Sequence, residues 1–267
     1  QTCALPISQG YLQKALAIQI EIGNRDGEAL CYGNQGILFT LLGQYDKARE
    51  FLEKAVDIKI ETGERNGEAS CYGNLGNLFT SLGQYDKARE YLEKALAIKI
   101  EIGDRDGEGS CLANLGTLFY RLGQYDKAQE HLQKALAIQI EIGNRDGEAS
   151  CYGNQGILFA SLGQNDKAQE YLKKTLAVKI EIGDRDGEAS CYVNLGALFH
   201  SLGQYVKAQE YFQKALAIKI EIGDRAGEGL CYGSLESLFK SLGQYDKARQ
   251  YLEKALAIKI EIGRAHV

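Results

Sequence analysis

The amino-acid sequence predicts an all-α solenoid, a row of paired helices that grows by stacking units rather than by enclosing one core. Three observations predict it. The chain of 267 residues repeats itself every 40 residues, six times over. Each repeat holds two stretches whose apolar residues recur at spacings of three and four, the period of one helical face. A glycine closes each stretch, at the position where helices most often stop.

The units run 24–63, 64–103, 104–143, 144–183, 184–223 and 224–263, and a half unit with only a second helix, 9–23, precedes them. Unit two serves as the reference. Its first helix is expected over about 67–82, with Ala69, Tyr72, Leu75, Phe79 and Leu82 on one face and Gly83 as the stop. Its second helix is expected over about 85–102, with Ala88, Tyr91, Leu92, Ala95, Leu96 and Ile98 inward. Asp86 falls in its first turn, where the helix dipole favours an acid. The run Ala97-Ile98-Lys99-Ile100-Glu101-Ile102 alternates with period two, a strand signal. No glycine or proline separates that run from the helix before it, and Ile98 and Ile102 fit i, i+4 spacing, so one continuous helix is the reading.

Composition fits this class. Apolar residues make up 45% and charged residues 25%, and the net charge is −5. A mildly acidic chain argues against nucleic acid as a partner, since phosphate binding needs clustered Lys and Arg. No apolar run reaches the roughly 18 residues of a membrane span. The two ends, QTCALPIS (1–8) and the closing residues 264–267, do not follow the repeat. They read like in-frame translations of a sequencing adapter, so they are expected to be foreign tails and are set aside from fold reasoning.

Six cysteines recur one per unit: Cys31, Cys71, Cys111, Cys151, Cys191 and Cys231. Stacked helices sit about 10 Å apart, beyond the roughly 7 Å that a disulfide bridges. They are expected to be free, buried thiols in a reducing compartment, which points to the cytoplasm.

Tyr72-x2-Leu75-Gly76-x2-Phe79, followed by Ala88, Leu92 and Ala95, is similar to the spaced pattern of tetratricopeptide repeats. The match covers all six units. Two features depart from that pattern: the period is 40 rather than about 34, and the closing proline is missing. The additional residues are expected to lengthen the second helix and the turn after it. With the triplet Leu75-Gly76-Asn77 and the turn from Gly103 to Glu108, the long form resembles the LGN/Pins family and related long arrays. The resemblance implies a right-handed superhelix of helix-turn-helix units whose first helices line the inner wall. It also implies that an extended peptide of a partner protein lies in that concave groove.

On the first helix, Ser70, Asn74, Asn77 and Ser81 lie roughly opposite the apolar stripe, at 100° per residue. The most regular member of this polar stripe is asparagine, at Asn34, Asn74, Asn114, Asn154 and Asn194, with Ser234 in unit six. Ser110, Ser150 and Ser190 repeat the place of Ser70. An amide offers two donors and an acceptor, which suits the backbone of an extended peptide of any sequence. The same amides could instead bridge neighbouring first helices, or persist because the units were copied recently. Residues that break the repetition add selectivity: Tyr120, Arg121, His200 and Lys240, of which Arg121 and Lys240 suit an acidic partner. Gly33, Gly73, Gly153 and Gly233 interrupt the first helix beside the asparagine, and close approach of the next unit is the favoured reason.

The arginines Arg25, Arg65, Arg105, Arg145, Arg185 and Arg225, one per unit, are flanked by acids, as in Asp104-Arg105-Asp106, and are expected to form local ion pairs or to solvate the helix start. Gln35 and Gln155 replace the stripe leucine and, if buried, must find hydrogen bonds. Glu236 replaces the packing glycine of unit six and is expected to loosen it.

No phosphate loop, nucleophile elbow or metal-ligand spacing occurs, and Gly107-x-Gly109 lacks the rest of a dinucleotide motif. No enzyme activity, cofactor or metal is therefore expected. The sequence points to a scaffold that binds a protein or peptide. A sensor region of a larger signalling or protease-type enzyme is one alternative, and a structural solenoid that stacks end to end is another. The chain is otherwise expected to be monomeric.

Overall fold

The structure, a computed structural model, describes residues 5–264, and side-chain surroundings for 10–263. Cys3, Pro6 and the final residues fall outside what can be said of side chains. Among the described residues there are thirteen helices and no strand. They are α1 (Leu5–Glu21), α2 (Arg25–Leu41), α3 (Tyr45–Thr62), α4 (Arg65–Ser81), α5 (Tyr85–Glu101), α6 (Arg105–Arg121), α7 (Tyr125–Glu141), α8 (Arg145–Ser161), α9 (Asn165–Glu181), α10 (Arg185–Ser201), α11 (Tyr205–Glu221), α12 (Arg225–Ser241) and α13 (Tyr245–Arg264). The architecture is a helical-repeat solenoid. The alternating run is helical through Glu101, with Ile102 as the cap: Ile98 is buried, while Ile100 and Ile102 are exposed.

In unit two both helices have 17 residues, and both turns have three, at 82–84 and 102–104. The 40-residue period is thus shared evenly between two helices of equal length and two turns of equal length. Each turn is closed by a left-handed glycine. Gly83 has φ 70°, and the N–H of Gln84 reaches back to the Phe79 carbonyl at 2.9 Å. A side chain with a Cβ is disfavoured in that conformation.

The chain forms two compact bodies, one ending at Asn144 and one beginning at Arg145. In the first, α2 pairs with α3, α4 with α5 and α6 with α7, and each second helix also packs on the next first helix. In the second, α8 pairs with α9, α10 with α11 and α12 with α13, with the same onward packing. The core of a pair is thin and repeated. Leu75, Leu78, Ala88, Leu92 and Ala95 are all at most 1% exposed. Each such leucine contributes about 1.5–3 kcal/mol by leaving water. Gly76 lets the two helices meet: a Cβ there would lie 2.6 Å from Leu92 Cγ and 3.3 Å from the Ala88 carbonyl oxygen.

Tyr72 and Tyr91 are half-buried rather than core. Phe79 stacks on Tyr91 at 5.4 Å between ring centres, and Lys87 and Lys94 lie over the rings. These lysines thus cover aromatic surface while their ammonium groups stay in solvent.

Unit six keeps its helix pair despite Glu236. Leu252, equivalent to the fully buried Leu92, is 54% exposed, because no helix among the described residues covers α13.

Candidate functional site

Polar residues recur on two sides of each helix pair, and the structure gives them different work. At the joints the charges are used up internally. Arg105 Nη1 donates to Glu108 at 2.6 Å and Nη2 to Glu141 at 2.6 Å, so one guanidinium joins the start of α6 to the end of α7. Arg65 does the same with Glu68 and Glu101. The partners are therefore glutamates three and 36 residues on, not the flanking acids the sequence suggested. The outer pairs, Arg65–Glu101 and Arg105–Glu141, are exposed and contribute little, about 0–1 kcal/mol each, whereas Glu68 and Glu108 are largely buried.

The flanking acids serve a lysine instead. Lys99, its side chain 9% exposed, donates to Asp104 Oδ2 at 2.7 Å and to Asn66 Oδ1. Asp104 also caps α6 by accepting from the Gly107 N–H at 2.9 Å. Lys99 first and the Gly107 N–H second hold its carboxyl below the usual range. Lys179 with Asp184 and Lys219 with Asp224 repeat the joint at 2.8 and 2.7 Å. In unit three Gln139 replaces the lysine, and Asn144 replaces the acid of the following cap.

The first helices lie side by side within each body: α2, α4 and α6 in one, α8, α10 and α12 in the other. Asn34 is exposed, and Asn74, Asn114, Asn154 and Asn194 are half-buried. Among the described residues none of these five side chains makes a hydrogen bond or ion pair. Bridging between neighbouring first helices, the structural alternative for them, is thus not what they do. Ser70, Asn77, Ser81, Ser110, Ser150 and Ser190 are exposed on the same helices. Ser70 and Ser81 donate back to the carbonyls of Asn66 and Asn77.

In the second body this face is hollowed. One pocket of about 480 Å³ lies between α10 and α12, lined by His200, Ser201, Ser234 and Ser237 with Phe212 in contact. His200 Nε2 is 2.9 Å from Ser241 Oγ, so the imidazole joins α10 to α12. A second pocket on these helices brings Ser190 and Asn194 together with Leu230. A third, between α8 and α10, again includes Asn194. Tyr120 and Arg121 sit in the last turn of α6 and Lys240 in the last turn of α12, away from these pockets.

Two corrections concern this face. A Cβ at Gly33, Gly73 or Gly233 would meet nothing within 4 Å, and at Gly153 only Thr175 at 3.7 Å. The next unit does not approach there, and these glycines leave the surface open. Gln35 and Gln155 are buried, yet the Oε1 of each lacks a hydrogen-bond partner. Leu30 and Leu230, not among the residues expected on this face, are 63% and 74% exposed where other units carry serine. The signal was available: they break the repetition as plainly as His200 does.

The six described cysteines are free and buried. Burial pushes the thiols of Cys71, Cys111, Cys151, Cys191 and Cys231 up to about 11, so they are unreactive at neutral pH. Among the described residues, no group of three His, Cys, Asp or Glu side chains could hold a metal ion, and no helix is long and apolar enough to cross a membrane.

A profile of the tetratricopeptide repeat matches residues 5–61, 59–101, 68–141, 108–181, 160–221 and 187–261. The chain belongs to the tetratricopeptide repeat family. No curated protein matches it. Among solved structures, the array is similar to BtubC from P. vanneervenii, with 25% identity, 84% of this chain and 92% of that one covered, and a TM-score of 0.67. A Rap protein complexed with Competence and Sporulation Factor shares the fold at 17% identity, covering 90% and 77%, with a TM-score of 0.69. So does a signal transduction ATPase with a tetratricopeptide repeat sensor from Pyrococcus horikoshii, at 19% identity and a TM-score of 0.68. There the array covers 96% of itself but only 40% of the ATPase.

Proposed function

We propose that this tetratricopeptide array is a non-catalytic protein-interaction scaffold that holds an extended peptide segment of a partner across its first helices. The observation that carries the proposal is the line of asparagines whose amides make no internal hydrogen bond. Regularly spaced free donors and acceptors match the regular N–H and C=O groups of an extended backbone. Glycine beside them at Gly33, Gly73 and Gly233 leaves room for a main chain to come close. Ser190, Asn194, His200, Leu230 and Ser234 give the second body pockets in which partner side chains would be selected. Arg121 and Lys240 at helix ends would favour acidic residues in the partner. Free thiols in every unit suit a cytoplasmic setting.

The Rap protein solved with Competence and Sporulation Factor supports ligand binding by such an array. The repeat sensor of the ATPase supports a second reading, in which the array is the sensing region of a larger signalling protein.

The test is a peptide-display selection on the purified array, repeated with Asn74, Asn114 and Asn154 changed to alanine. Enrichment of an extended motif that the folded triple variant no longer binds is the expected result. Binders indifferent to the triple change would remove the asparagines from the site.

A further inference from the structure

Unit three departs from the others on the side of α6 turned away from Asn114. Leu112 precedes Asn114 by two residues, so the two side chains diverge by about 200° around the helix. Leu112 and His131 stand where unit two has Tyr72 and Tyr91, and unit five has Tyr192 and Tyr211. In those units the two rings lie 5.9 and 6.0 Å apart, with Lys94 or Lys214 over them. A glutamate from one turn earlier faces the first phenol. Burial first, and the Glu68 carboxylate second, raise Tyr72 above its ordinary range.

In unit three the first ring is absent and its surroundings remain. A pocket of about 460 Å³ opens between α5 and α7 with α6 as its floor. Leu96, Ile100 and Ala137 wall it, and Leu112 and His131 form the base. Ile100 is 56% exposed there. Glu108 lines the pocket, its Oε2 held by Arg105 at 2.6 Å, and its equivalent in unit two, Glu68, is the hydrogen-bond partner of the Tyr72 hydroxyl. Lys134 is also present, tethered to Glu130 at 2.7 Å. His131 leans on Phe119 at 4.9 Å, and its Nδ1 is 2.8 Å from the Lys127 carbonyl oxygen.

We propose that this pocket binds a phenolic ring, the side chain of a tyrosine on a partner polypeptide, seated where Tyr72 sits in unit two. The complementarity is that of the neighbouring units. Glu108 accepts from the hydroxyl, the Lys134 ammonium covers the ring face, and the aliphatic walls bury its edge. Arg105 is already paired with Glu108 and Lys134 with Glu130, and an aliphatic guest would use neither the second oxygen of Glu108 nor the Lys134 ammonium. The site does not rest on the asparagine face and stands whether or not that face binds peptide.

The probe is N-acetyl-L-tyrosinamide, titrated into the full isotope-labelled chain by NMR. Saturable shifts are expected at Leu112, His131 and Ala137, with a dissociation constant on the order of millimolar for a ligand of this size. N-acetyl-L-phenylalaninamide is expected to bind about threefold or more weakly, for want of the hydroxyl. Leu112→Tyr refills the pocket and Ala137→Phe blocks it from an exposed position; each is expected to weaken binding at least about tenfold. The alanine triple variant of the asparagines is expected to bind the probe unchanged. Absence of saturable shifts, equal affinity for the two amides, or binding untouched by Ala137→Phe would overturn the proposal.

Discussion

Glycine and glutamine mark the two extremes of fit in the array. Gly116 sits where α6 and α7 meet, and a Cβ on it would lie 2.7 Å from Leu132 Cγ and 3.3 Å from the Ala128 carbonyl oxygen. Gly116→Leu is therefore expected to cost more than about 1 kcal/mol in urea unfolding. A neutral result would mean the helices do not close on that residue. Gln155 is the opposite case, a buried amide whose Oε1 has no partner where Leu75 and Leu195 fill the equivalent space. Gln155→Leu is expected to raise stability by about 1–3 kcal/mol, the cost of an unmet polar group. Loss of stability would show the amide to be satisfied. The burial of Gln155 was legible in the sequence from its place in the leucine stripe. Its missing partner was not, because hydrogen bonding depends on the three-dimensional neighbours.

At the scale of helices, the joint between one unit and the next is a matched pair. Lys99 goes with Asp104 and Lys179 with Asp184, while Gln139 goes with Asn144 and Gln19 with Asn24. The two members are five residues apart, across a turn, so no helical wheel displays them together. The structure does, because the turn folds the second residue back as the cap of the next helix. The lowered carboxyl of Asp104 makes the joint acid-sensitive. The unfolded chain takes up the proton more readily, so the contribution is complete above the ordinary carboxylate range near pH 4 and is lost as pH falls below it. Hydrogen exchange at Asp104–Glu108, taken relative to the intrinsic amide rate at each pH, is expected to quicken on acidification below about pH 4. In Lys99→Gln with Asp104→Asn, which copies the Gln139–Asn144 joint, that quickening is expected to vanish. Equal acid sensitivity in both proteins would show that the pair is not the cause. The alternation of Ile98, Ile100 and Ile102 shows the other limit of pattern reading. It imitates a strand, yet only Ile98 is buried, and the helix continues because nothing stops it before Gly103.

For the molecule as a whole, repetition decides how stability is distributed. Each unit buries its faces against its neighbours, so units at the ends keep exposed apolar surface, as Leu252 and Leu256 do at more than half of their area. Unfolding is expected to begin at the ends, with the slowest hydrogen exchange in units three and four. Uniform protection along the chain would contradict this. The helical class and the turn glycines were readable from period and spacing alone. The candidate site was readable only in part. Asn74 and its equivalents stand out by regularity and His200 by breaking it, but the hollow around Leu230 and the pocket over Leu112 depend on what neighbouring helices leave unfilled. The central claim is that the first-helix amides are the gripping groups. The most direct test follows the asparagine side-chain NH2 signals by NMR while a display-selected peptide is titrated into the array. The signals of Asn74, Asn114, Asn154 and Asn194 are expected to move together and saturate with the peptide. Saturable binding that leaves them in place and shifts residues of the second helices, such as Lys94 and Ile100, would contradict it.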